Sequence, residues 1–175
     1  MLDNCRIPSF RDLGTRLSNL QFLWMSNCHV TDLSGMNGLP LLEELYLSFN
    51  DIVYLDELTF HENIQVIDLE ANKIEDISQV DNLGTCPMLN CVTLSGNPIE
   101  KKEGVNYRRK VAACISNLIT LDDLEISGAD QQEIEIITSI SESTPPKKPN
   151  THAWSSPDAA DTTTTTTSTN VDPDR

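Results

Sequence analysis

The chain has 175 residues, 27 acidic against 12 basic, for a formal charge of −15. Divided at Gly128, the N-terminal part holds 19 acids and 9 bases and the remainder 8 and 3, so both parts are acidic. Such a charge repels phosphate backbones and anionic lipid, which argues against nucleic acid and membrane surfaces as partners and for a basic protein patch. No segment reaches the roughly 18 consecutive apolar residues of a spanning helix. Met1 to Arg11 has no basic stretch leading into an apolar one, so no signal peptide is expected. The five cysteines, Cys5, Cys28, Cys86, Cys91 and Cys114, are odd in number and show no staple-like spacing, as in a reduced, cytoplasmic chain.

Taken in order, the chain repeats itself. The pattern L-x-x-L-x-L-x-x-N-x-I appears as Leu20, Leu23, Met25, Cys28 and Val30, then as Leu42, Leu45, Leu47, Asn50 and Ile52. Ile64, Ile67, Leu69, Asn72 and Ile74 form the third copy, and Leu89, Val92, Leu94, Asn97 and Ile99 the fourth. Leu23, Leu45 and Ile67 lie 22 residues apart, and Val92 follows after 25. Both steps fall within the about 20–29 residues of leucine-rich repeats. The predicted fold is therefore an α/β leucine-rich-repeat solenoid in which each copy is a short strand, a turn at the Asn and a convex return. Leu33, Leu55 and Ile77, with Met36, Leu58 and Val80 three positions on, supply the apolar side of the return. Inside the stack the amides of Asn50, Asn72 and Asn97 should bridge adjacent coils, with Cys28 and Cys5 in the same slot.

Leu2, Cys5, Ile7 and Phe10 fit the back half of a repeat, so the chain is expected to begin inside the solenoid with an uncapped apolar end. At the other end Asn106-Tyr107-Arg108, then Val111, Ile115, Leu118 and Leu121-Asp122, resemble a C-terminal cap of 22-residue repeats, with Val111, Ile115 and Leu118 on one helical face. The domain predicted from this covers residues 1–128. Asp130 and Glu133 suggest a capping box for a short helix within 129–142, over Gln131 to Ile140. From 143 to 175 the Pro/Ser/Thr/Asp-rich composition, with six threonines from Thr162, predicts disorder.

No catalytic, cofactor or metal constellation stands out. His29, His61 and His152 are scattered, Cys86 and Cys91 lack zinc-type partners, and no phosphate-binding glycine loop is present. The positive signal lies on the strands. Inward leucine-type residues leave Phe22, Trp24 and Ser26, then Glu44, Tyr46 and Ser48, then Val66, Asp68 and Glu70, then Cys91, Thr93 and Ser95 on the concave face. Phe49, before Asn50, either joins the rim or folds back against the turn. Phe22, Trp24, Glu44, Tyr46, Phe49, Asp68 and Glu70 are thus the expected partner-binding residues, since Trp and Tyr beside charge are common hot-spot material. Asp122-Asp123 and Glu43-Glu44 read as solvated pairs.

Arg11-Asp12-Leu13-Gly14-Thr15, the run Leu39 to Ile52, the run Val66 to Val80, Cys86-Pro87, Thr93 to Pro98 and Asn106-Tyr107-Arg108 resemble the ciliary leucine-rich repeat-containing protein fifty-six family, over roughly Leu2 to Asp122. The RDLGT segment and the lengthened fourth step are the more specific parts of that likeness. The resemblance implies no enzymatic activity. It implies a place in cilia or flagella and partners among outer dynein arm or intraflagellar transport components, which the family helps to assemble or move. The family has further N-terminal sequence and a much longer C-terminal region. Other solenoids of this repeat length serve as regulatory subunits of protein phosphatases or as scaffolds in ribonucleoprotein complexes, and those remain the alternative functions.

Overall fold

In the computed structural model the described residues are 2–128, except Thr15, together with Asp130. The expected helix over 131–140 and the Thr-rich tail lie outside them.

The 22-residue spacing becomes strand register. β1 (Phe22–Trp24), β2 (Glu44–Tyr46), β3 (Val66–Asp68) and β4 (Cys91–Thr93) pair in parallel, with Leu23, Leu45, Ile67 and Val92 side by side. β5 (Thr120–Leu121) adds a fifth parallel strand, and β6 (Leu124–Glu125) turns back antiparallel to end the sheet. Strands this short can share one face of a stack because the chain returns on the opposite side after each. The returns are 3₁₀ turns at Met36–Gly38 and Asp56–Leu58. The third, lengthened by three residues, becomes α1 (Ile77–Leu83), with the Asp76 carboxylate accepting from the Ser78 amide as N-cap. Three extra residues nearly complete one more helical turn, which explains the change from 3₁₀ to α.

The core follows the repeat. Leu23, Met25, Cys28, Val30, Leu33 and Met36 are buried, as are their counterparts Leu45, Leu47, Ile52, Leu55 and Leu58, and Ile67, Leu69, Ile74, Val80 and Leu83 in the next coil. Beside them runs the amide ladder. Asn50 Nδ2 donates to Met25 O at 2.9 Å and Leu47 O at 2.8 Å, while its Oδ1 accepts from the Cys28 and Val30 amides at 2.9 and 3.0 Å. Asn72 bonds Leu47 O, Leu69 O and the Ile52 amide, and Asn97 bonds Leu69 O, Leu94 O and the Ile74 amide. Each side chain closes its own turn and grips the preceding coil. Cys28 fills the slot with its thiol donating to Leu2 O at 2.9 Å. Cys5 holds the equivalent place, but its side chain is exposed, with no described coil stacked upon it. Leu2 and Ile7 are only half-buried against the core.

Removing one rung of the ladder should leave buried carbonyls and amides unpaired. Asn72→Ala is therefore expected to lower unfolding free energy by roughly 1–3 kcal/mol in urea titration. A change below about 0.5 kcal/mol, the range of ordinary surface substitutions, would mean that the ladder is not structural.

The cap differs from its expected form. α2 (Pro98–Glu103) opens with Pro at its first turn, and α3 (Tyr107–Cys114) follows. Val111 is buried on α3, but the helix ends at Cys114. Ile115 is already extended, so Ile115 and Leu118 are buried beyond the helix and do not share a helical face with Val111. The reason is topological. Leu118 and Leu121 are the first two leucines of one more coil, and the chain must leave α3 for Leu121 to pair with Val92 in β5. The cap is thus a fifth partial repeat.

Asp122 locks that coil. Its Oδ1 accepts from the Leu94 and Ser95 amides at 2.7 and 2.9 Å, and its Oδ2 accepts from the Tyr107 hydroxyl at 2.9 Å. Arg108 donates to Leu121 O, Leu124 O and Glu125 O. Asp122 is therefore a structural acceptor, not a solvated charge. Burial pushes the Tyr107 phenol well above its ordinary value, with the Asp122 charge reinforcing it, which keeps the hydroxyl a donor.

Candidate functional site

Alternation does on this sheet what the sequence implies. Leu23, Met25, Leu45 and Leu47 are buried, so Phe22, Trp24, Glu44 and Tyr46 stand on the opposite, concave side. The structure brings three of the expected aromatics together. The Trp24 and Tyr46 rings are parallel within 4° with centroids 5.2 Å apart, and Phe22 stacks on Trp24 at 6.1 Å and 17°. Trp24 and Tyr46 are paired residues of adjacent strands, which fixes their separation near the roughly 4.8 Å between strands. Each ring shields a face of the other, so both are half-buried, while Phe22 remains 42% exposed.

Tyr46 is pinned at its tip, where its hydroxyl donates to Glu44 Oε2 at 2.8 Å. Burial, with that carboxylate beside it, pushes the phenol up to about 12. It therefore stays protonated and Glu44 stays engaged at physiological pH. Phe49 joins the rim: it lies at φ 58°, 57% exposed, in the left-handed turn position shared with Asn4, Asn27, Ala71 and Gly96. Gly96 lies there at φ 75°, and a Cβ on it would come within 3.3 Å of the Ala71 backbone, a tight contact that the neighbouring turn would have to yield to by a few tenths of an ångström. Below the aromatics Ser26 and Ser48 exchange a hydroxyl bond at 2.9 Å. Asp3, on the coil before β1, is occupied by the Ser26 amide at 3.0 Å.

Asp68 and Glu70 continue the face. The Glu70 amide donates to Asp68 Oδ1 at 2.9 Å. Burial nonetheless raises the Asp68 carboxyl above its ordinary value, against the stabilising Glu70 amide and Ser48 hydroxyl, and Asp123 adds a like charge. A raised carboxyl holds its proton more tightly folded than unfolded. Its ionisation therefore opposes stability at neutral pH, and this cost fades as pH falls through the folded and then the unfolded value. Asp68→Asn, which keeps an acceptor for the Glu70 amide, is expected to raise the thermal midpoint at pH 7 and to lose that advantage below about pH 4. A lower midpoint at pH 7 would show that the charge is structurally needed.

Two features escaped the repeat pattern. β5 and its turn bring Asp123 to the side of the face near Cys91 and Asp68, which the L-x-x-L spacing of Leu118 and Leu121 could have signalled. Tyr54 and Phe60, 66% and 76% exposed, lie on the return side, and no periodicity marks them. His61 beside Phe60 is buried, with Nε2 unpaired, and burial lowers its proton affinity. Among the described residues no group of three or more His, Cys, Asp or Glu is placed to hold a metal ion, and no helix is long and apolar enough to cross a membrane.

A sheet of parallel strands one coil apart, the first three coils stepping by 22, 22 and 25 residues, with an asparagine ladder and a helical cap defines a leucine-rich-repeat solenoid, a class built for protein–protein contact. Residues 18–59 match the family model described as Leucine Rich repeats (2 copies). Within that class the chain resembles leucine-rich repeat-containing protein 56. It is 42% identical to the Homo sapiens protein over 133 residues, covering 70% of this chain and 24% of that one. It is 37% identical over 154 residues to the Trypanosoma brucei brucei homolog, covering 75% and 20%. The chain thus spans about a quarter or less of the length of these curated relatives. Among solved structures, the crystal structure of the Drosophila melanogaster SNF/U2A' complex matches with a TM-score of 0.66 and 25% identity over 80% of this chain and 86% of that one.

Proposed function

We propose that the chain is a non-enzymatic adaptor that holds a protein segment on its concave face, in support of outer dynein arm assembly or intraflagellar transport in cilia and flagella. The observation that carries the binding surface is the Phe22–Trp24–Tyr46 stack. Three large rings on a sheet face, rimmed by Phe49 and by the acids Glu44, Asp68 and Glu70, present rigid apolar area beside charge, the usual composition of an interface centre. The ciliary assignment rests on the likeness to leucine-rich repeat-containing protein 56. The acidic balance favours a basic protein partner over nucleic acid or membrane.

A second reading, scaffold in a ribonucleoprotein complex, is favoured by the likeness to the SNF/U2A' complex. Affinity capture with the full chain from ciliated cells, followed by mass spectrometry, separates the two. Recovery of dynein-arm or intraflagellar transport components supports the first reading. Recovery of splicing proteins without ciliary ones overturns it for the second, and recovery of phosphatase catalytic subunits alone overturns both.

A further inference from the structure

The concave stack is incomplete in a specific way. Trp24, Tyr46, Asp68 and Thr93 occupy one lane across β1 to β4, each paired with the next. Trp24 covers one face of the Tyr46 ring, and the other face is turned toward the lane position of Asp68. An aspartate is too short to continue the stack, so beside Tyr46 the lane holds a carboxylate where a third ring would lie, which leaves a slot for one planar layer. The Asp68 lane runs one strand spacing from that of Tyr46, about 4.8 Å, close to the separation of two stacked planar groups. The electrostatics of the slot select the sign of its occupant. Asp123 and Cys91 are the other titratable groups facing Asp68 and Tyr46 from β4 and the β5 turn, and Glu44 sits at the tip of the ring. None of these brings a positive charge.

Resting on the concave-face reading, we propose that this slot seats an arginine guanidinium of a partner protein, stacked on the open face of Tyr46 as the third layer after Trp24 and donating N–H groups to the Asp68 carboxylate. Arginine suits the slot better than lysine. Its guanidinium is planar, weakly hydrated and able to stack while it forks onto a carboxylate, whereas an ammonium is a compact, strongly hydrated point charge. The rigid ring, held by Trp24 on one side and Glu44 at its hydroxyl, is in place before the cation arrives, so little ordering is lost on binding.

The test titrates hexa-arginine and hexa-lysine peptides into the full chain and follows the Tyr46 and Trp24 ring resonances by NMR. Hexa-arginine is expected to bind about fivefold or more tightly than hexa-lysine, because only guanidinium both stacks and forks. Tyr46→Leu and Asp68→Asn should each weaken hexa-arginine by about tenfold and erase the preference, while Tyr46→Phe keeps most of it. Glu75→Gln, an exposed acid on the return side, should change nothing. Equal affinity of the two peptides, a preference that survives Tyr46→Leu, or no shift of these rings with either peptide would overturn the proposal. If that happens while Trp24→Ala and Tyr46→Ala still abolish capture of the cellular partners, the arginine slot is wrong and the concave interface stands. If capture also survives those substitutions, the concave-face reading falls as well.

Discussion

Gly84→Ala is expected to destabilise the domain by about 3 kcal/mol, the upper part of the range for overpacking. Gly84 closes α1 in an ordinary right-handed conformation, φ −62° and ψ −15°, so its backbone would accept any residue. Space is the obstacle. A Cβ would lie 2.1 Å from the Cys114 carbonyl oxygen and 3.2 Å from the Asp81 carbonyl oxygen. The ends of α1 and α3 meet here backbone to backbone, and neither neighbour is a flexible side-chain tip that can move aside. Burial and the nearby Asp81 carboxylate also push the Cys114 thiol up to about 12, so it stays a neutral packing group at this contact. Relief requires the end of α3 to move away from α1, the return of the third coil. Gly38→Ala is the matched control, because nothing lies within 4 Å of its Cβ position, and it should change stability by less than about 1 kcal/mol. Urea unfolding of both variants checks this, and a Gly84→Ala protein as stable as Gly38→Ala would mean that the two helices do not meet as described.

The second large effect is on binding. Trp24→Ala and Tyr46→Ala remove no inward residue, but each ends a ring stack, and such pairs contribute about 0.5–1.5 kcal/mol beyond their buried area. Stability should therefore fall by about 1–2 kcal/mol, more than for a fully exposed position and less than the about 2–5 kcal/mol of Leu47→Ala. Partner affinity should fall by roughly 2 kcal/mol or more, about thirtyfold, for either aromatic substitution. Because the rings support each other, the double variant should lose less than the sum of the singles. Leu47→Ala should weaken binding only in proportion to the unfolded fraction. Thermal unfolding and partner titration on the same samples check both parts, and a Trp24→Ala protein that unfolds like Leu47→Ala would place Trp24 in the core.

Much of this fold is legible because each coil imposes the same constraint. Leu45, Ile67 and Val92 must point inward at a fixed step, and an asparagine must close each turn, so one pattern locates the strands, the ladder and the concave residues together. The adjacency of Trp24 and Tyr46 follows from the same 22-residue step. Their parallel stacking does not, since side-chain torsions respond to packing that periodicity leaves open. The cap was harder for a related reason. Val111, Ile115 and Leu118 satisfy a helical spacing, yet Leu118 and Leu121 also satisfy the repeat, and pairing with β4 decides in favour of the repeat. Asp122 looks like a surface acid until the chain's return places it over the open amides of Leu94 and Ser95. Tyr54 and Phe60 sit on returns, where no repeated constraint dictates the outward residue.

Those two exposed aromatics provide the most direct test of the concave interface. The measurement is quantitative capture of partners from ciliated cells by the full chain, comparing Trp24→Ala and Tyr46→Ala with Tyr54→Ala and Phe60→Ala, each first shown to be folded by thermal unfolding. The concave substitutions should cut recovery of the specific partners by tenfold or more, as expected for about 2 kcal/mol, while the return-side substitutions leave it unchanged. Full recovery with the concave variants, with loss on Tyr54→Ala or Phe60→Ala, would contradict the account and move the interface to the convex side.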